Sequence, residues 1–119
     1  MQKMSLEYAY EKFYLAVIGM AQSKKKMRER LEEAYVYHII HVREEDIPSE
    51  LLQEFCILKK MISSRPPRGT WEGSIRATTQ QMSPRELSEA ARLTVHLFDG
   101  ITAAQHEKDY QAARKEGTK

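Results

Sequence analysis

"AYVYHIIHV", residues 34–42, is the stretch on which the reading of the fold turns. It is rich in aromatic and β-branched residues, the types that favour strands. Nothing else in the chain offers a strand for it to pair with. A lone strand would leave a row of backbone N–H and C=O groups without partners. The stretch is therefore expected to continue the helix that begins in the basic run before it, to about Val42. Its inward face is then Met27, Leu31, Ala34 or Tyr35, His38 and Val42. With that choice the chain contains only helices.

The flanking segments agree. Leu6, Tyr10, Phe13, Val17 and Met20 recur at spacings of four and three, which places one apolar stripe on a helix from about Ser5 to Gln22. "REEDIPSELL" reads as a helix start, with Pro48 at the first helical position and Glu50 in the first turn. That helix carries Leu51, Leu52, Phe55, Leu58 and Ile62 inward, and Pro66 and Pro67 forbid its continuation. "SPRE", 83–86, is a capping box with proline at the first position. The helix behind it places Leu87, Ala91, Thr94, Phe98 and Ile101 on one stripe, with Ala90, Leu97 and Ala104 beside it. Gly100 is a tolerated helix glycine or an early stop. The expectation is an all-α, mostly antiparallel bundle of four to five helices, with a long connector (about 64–82) before the last long helix. Residues 1–104 form one helical domain, and 105–119 form a charged extension, partly helical or disordered.

The connector is the unusual part. It holds the only tryptophan, Trp71, two of the five glycines and a run of hydroxyl residues. A connection this long is uncommon in a compact domain. A short helix over 74–82, with Ser74 as its cap and Ile75, Thr78 or Thr79, and Met82 facing inward, takes up part of it. Arg65, Arg68, Trp71, Glu72 and Arg76 are candidates for a partner-binding cluster, because Arg and Trp dominate binding hot spots. In the competing reading Trp71 plugs the open end of the bundle, and Arg68 and Arg76 pair with acids of the 44–54 block.

Composition bounds the function. With 30% charged residues, 41% hydrophobic residues and a net charge of +2, the chain reads as globular, and nucleic acid is not implied by charge alone. Cys56 has no partner cysteine, which suits a reducing cytoplasm. No apolar run suggests a membrane span. The basic run Lys24, Lys25, Lys26, Arg28 and Arg30 offers a possible nucleic-acid contact, partly offset by Glu29, Glu32 and Glu33. His38 and His41, with Glu33 or Glu45, make a weak metal-ligand pattern. Arg92 and His96 resemble the arginine–histidine pair of HEPN-type ribonucleases except in spacing. No cofactor or catalytic constellation is implied. Tyr8, Tyr10, Tyr14, Tyr35 and Tyr37 exceed what one inward stripe holds, and Tyr14 and Tyr37 are expected off the seam, on a possible homodimer face. The expected role is a non-enzymatic protein–protein interaction module, with itself or another protein as partner.

The pattern E-G-S-I-x-A-T-x-x-x-M-S at 72–83, together with "EKFYLAV" at 11–17 and "REEDIPSELLQEF" at 43–55, resembles a set of short helical bacterial proteins. The resemblance spans most of the chain to about residue 104. It implies a bacterial, cytoplasmic protein in which the connector belongs to the fold, and it brings no catalytic residues.

Overall fold

The computed structural model describes residues 5–67 and 73–117. These form five α-helices and no strand: α1 (Leu6–Gln22), α2 (Met27–Tyr37), α3 (Leu52–Ile62), α4 (Ser74–Gln81) and α5 (Pro84–Gly117). The fold is all-α, as the sequence implies.

The stretch 34–42 is not a strand, but neither is it helical to its end. α2 stops at Tyr37, one short 3₁₀ turn covers Ile39–His41, and Val42 is extended. His38 makes the break, with φ −129° and ψ −64°. Ile39 and Val42 stand four and seven residues after Tyr35, on the side that α2 buries, and both are fully buried. The β-branched residues have poor helix propensity, and the 3₁₀ turn still pairs the backbone, with the Val42 N–H bonded to the Ile39 carbonyl at 2.9 Å.

A second 3₁₀ turn, Glu44–Asp46, follows. Asp46, from the acidic block, is buried and accepts the backbone N–H of Ser5 at 3.1 Å and of Arg43 at 3.0 Å. It ties this turn to the start of α1, whose own cap is the Ser5 hydroxyl accepting the Tyr8 N–H. Pro48 stands one residue before helical geometry begins, and a 3₁₀ turn, Ser49–Leu51, leads into α3. Gly73, rather than Ser74, occupies the cap position of α4.

Helix directions follow from the contacts. Arg28 reaches Met82 and Tyr35 reaches Thr94, so α2 and α5 run parallel. Glu54 meets His96 and Leu51 touches the Gly100 backbone, so α3 runs against α5. Arg76 meets Glu32 while Thr79 meets Arg28, so α4 runs against α2. The short joint between α1 and α2 sets those two antiparallel.

The core centres on Ala9, Phe13, Ala16 and Met20 of α1, Leu31, Ala34 and Tyr35 of α2, and Phe55, Leu58 and Ile62 of α3. In α1 the expected stripe is rotated: Ala9 and Ala16 take its centre, while Tyr10 and Val17 move to the edge. Small side chains at the centre let helices approach closely. Gly100 serves the same end, since a Cβ there would stand 2.9 Å from Leu51 Cδ2. It does not stop α5, which continues for 34 residues, about 51 Å at 1.5 Å per residue. Residues 106–115 are all exposed, so the last turns of α5 extend past the core as helix.

A second heptad seam on the last helix

The capping box at the start of α5 forms as read. Ser83 Oγ accepts the Glu86 N–H at 3.1 Å, and Glu86 accepts the Ser83 N–H at 2.8 Å. The bond to the Ser83 backbone, with lesser help from Arg65, holds the Glu86 carboxyl below the usual range. From this fixed start α5 presents two neighbouring stripes. Leu87, Ala90, Thr94, Leu97 and Ile101, spaced three and four apart, are buried in the core. Ala91 and Phe98, expected on that stripe, belong to the other.

The second stripe is Ala91, Val95, Phe98, Thr102 and Gln105, spaced four, three, four and three. That is the spacing of a helix–helix seam. α1 covers it in part, at Phe98. Tyr10 stacks on Phe98 at 5.9 Å between ring centroids, Tyr14 meets Phe98 at 6.3 Å, and the two tyrosines lie 6.1 Å apart. Tyr14 remains 44% exposed and Val95 48%. No residue of this strip carries a formal charge. At its far end the Thr102 hydroxyl and Gln105 Oε1 are buried and have no hydrogen-bond partner. The Gln105 amide nitrogen is engaged by Asp109 at 3.1 Å.

The sequence-derived candidates scatter. Tyr14 lies on this strip. Tyr37, 63% exposed, stands elsewhere, edge-on to His38 and beside the α1–α2 groove of Gly19, Met20 and Arg30. The two tyrosines therefore do not share one face. Arg65 and Arg76 are engaged within the chain. The Arg65 N–H donates to Thr78 Oγ1 at 2.9 Å and its guanidinium reaches the Gln81 carbonyl. Arg76 pairs with Glu32 of α2 at 3.1 Å, not with the 44–54 block. Arg68, Trp71 and Glu72 lie outside the described residues.

The basic run is largely spent on structure. Arg28 donates to the carbonyls of Thr79 and Met82, Arg30 to the Lys25 carbonyl at 2.6 Å, and Lys25 pairs with Glu33. Lys24 and Lys26 stay exposed. Arg92 and His96 sit in separate pairs, with Glu89 and Glu54. Burial, with Lys12 and His41 nearby, pulls the His38 imidazole down. Among the described residues no three His, Cys, Asp or Glu side chains are grouped to hold a metal, and no helix is long and apolar enough to cross a membrane.

Sequence reading pointed to Tyr14 but not to its setting. The signal for the strip was present as a second 4–3–4–3 series, masked because Ala91 and Phe98 also fit the first. No family model, curated protein or solved structure matches the chain.

Proposed function

We propose that this protein is a non-enzymatic interaction module, and that the strip of Tyr10, Tyr14, Val95 and Phe98 is its docking face, with a second copy as occupant. The observation that carries this reading is the second heptad seam, left half covered beside the buried one. Aromatic residues that are half wet are favoured at interfaces. A two-fold dimer brings one patch against itself, which suits a strip without charge, since no like charges meet. Polar groups within a helical seam fix register, and Thr102 and Gln105 supply them at the end of the strip. The pair Arg92–Glu89 gives a polar rim. A dimer of this kind fits either a free-standing homodimer or a subunit of a larger bacterial assembly in the cytoplasm.

Binding of nucleic acid through residues 24–30 has less support, because Lys25, Arg28 and Arg30 already have partners within the chain. Sedimentation equilibrium over a wide concentration range tests the reading. The wild type is expected to approach twice the chain mass. Tyr14→Glu with Val95→Glu is expected to remain monomeric, while Ile57→Glu, at an equally exposed site on α3, leaves the dimer intact. A wild type that stays monomeric throughout, or a double variant that still dimerises, removes this face as the contact.

A further inference from the structure

A second feature, independent of the dimer face, lies beside the break at His38. It is an apolar cleft of about 210 Å³ where the end of α2, the last turn of α3 and the first turn of α4 meet. Tyr35, Ile39 and Ile62 line it, each almost wholly buried, with Ile75 from α4 and the half-exposed Ile40 as further walls. An apolar cavity of roughly 150 Å³ is enough to hold benzene, so a ring or a short acyl chain fits the space.

The polar groups at the cleft are few and of one sign. Lys59 lines it, and its ammonium rests 5.2 Å from the Phe55 ring centroid, so packing sets its position. Among the described residues no carboxylate pairs with Lys59. α4 begins at the cleft with Ser74 and Ile75, and its first backbone hydrogen bond is from the Ala77 N–H to the Gly73 carbonyl at 3.0 Å. The Ser74 and Ile75 N–H groups stand in the first turn, ahead of the helix's own ladder of bonds, at the positive end of its dipole. The competing negative end, the last carbonyls of α3, is partly occupied: the Ser63 hydroxyl donates to the Lys59 carbonyl at 2.7 Å and the Ser63 N–H to the Lys60 carbonyl at 3.3 Å.

We propose that this cleft binds a small amphipathic monoanion, an aromatic or short-chain carboxylate. Its hydrocarbon part lies along the isoleucine walls, and its carboxylate sits between Lys59 and the first turn of α4. A mostly apolar pocket with one cation and a few orienting donors is the ordinary form of a small-ligand site.

The probe is 3-phenylpropionate, titrated into the full chain and followed by amide chemical shifts, with 3-phenylpropionamide as its neutral counterpart. Saturable shifts are expected in residues 35–40, 59–63 and 74–75, with the acid bound about three- to tenfold more tightly than the amide, the scale of one partly exposed charge contact plus a helix terminus. Lys59→Met is expected to narrow the difference between acid and amide. Ile40→Glu, at an exposed wall position, is expected to weaken the acid more than the amide. Circular dichroism checks that both variants fold. Absence of saturable shifts, shifts centred elsewhere, or an acid preference unchanged in Lys59→Met would each overturn the proposal.

Discussion

α1 and α4 are held in place by different physics. α1 buries Ala9, Phe13, Ala16 and Met20 on one face, and its position follows from apolar burial against α2, α3 and α5. α4 has eight residues, two of its four buried residues are threonines, and its C-terminus lacks a glycine cap. It is held by guanidinium groups instead. Arg28 satisfies the Thr79 and Met82 carbonyls, Arg65 reaches the Gln81 carbonyl, and Arg76 pairs with Glu32. A long helix with a periodic stripe positions itself. A short one with weak propensity depends on donors supplied from other elements, here from α2 and from the chain just after α3.

The largest expected effect lies on the apolar side of this contrast. Phe13 is fully buried against Phe55, with ring centroids 6.3 Å apart. Phe13→Ala is expected to cost about 3–5 kcal/mol in denaturant unfolding, with the whole molecule unfolding earlier. A loss confined to α1 would break the comparison, because it would make α1 a dispensable element.

On the polar side, Arg28→Ala is expected to cost about 1.5–3 kcal/mol, the range for charge-assisted bonds. The loss should be local: hydrogen exchange in Ala77–Gln81 accelerates while α5 keeps its protection. Both bonds come from one nitrogen, Nη1, so Arg28→Lys, whose ammonium also carries several donors, should recover part of the loss. Uniform acceleration across all helices would show that α4 and the core unfold as one unit.

Tyr35 joins the two modes, being an apolar ring with one buried polar bond. Its hydroxyl lies 2.8 Å from Thr94 Oγ1, and Thr94 spends its own proton on the Ala90 carbonyl at 2.7 Å, so Tyr35 is the donor. Burial pushes the phenol's pKa up. A raised pKa in the folded state means that the unfolded chain releases this proton first. Stability is therefore full below the ordinary tyrosine value of about 10 and falls as pH rises beyond it. Tyr35→Phe is expected to cost about 1 kcal/mol at neutral pH and to flatten the fall in melting temperature between about pH 9.5 and 11.5. An unchanged alkaline slope would place the titrating group elsewhere.

The smallest effects concern two helical glycines. A Cβ at Gly19 meets nothing within 4 Å, and one at Gly100 meets Leu51. Gly19→Ala is expected to stabilise by about 0.5–1 kcal/mol, and Gly100→Ala by distinctly less, as Leu51 must shift. Equal gains would mean that Leu51, in the turn before α3, does not press on α5 as described.

The same contrast explains what was legible beforehand. The stripe of α1, the proline stop after α3 and the capping box at Ser83 and Glu86 all rest on local spacing, and local spacing is written in the chain. The halt of α2 at Tyr37 is not, because Ile39 and Val42 fall on the buried side whether or not the helix continues, so spacing carries no sign of the break. The use of Arg28 is equally hidden: in sequence it is one cation among five, and its two acceptors lie more than fifty positions away. The docking strip was half visible, in that Tyr14 stands off the main stripe. Phe98 could be assigned to it only once the rotation of α5 was known.

Much of this returns to "AYVYHIIHV", where the helix ends at Tyr37, Ile39 and Val42 are buried, and the apolar cleft begins. Backbone carbon chemical shifts of residues 34–42 in solution test that directly. Helical values are expected through Tyr37, lost at His38, intermediate over Ile39–His41 and extended at Val42. Helical values unbroken to Val42, or strand values across the stretch, would contradict it.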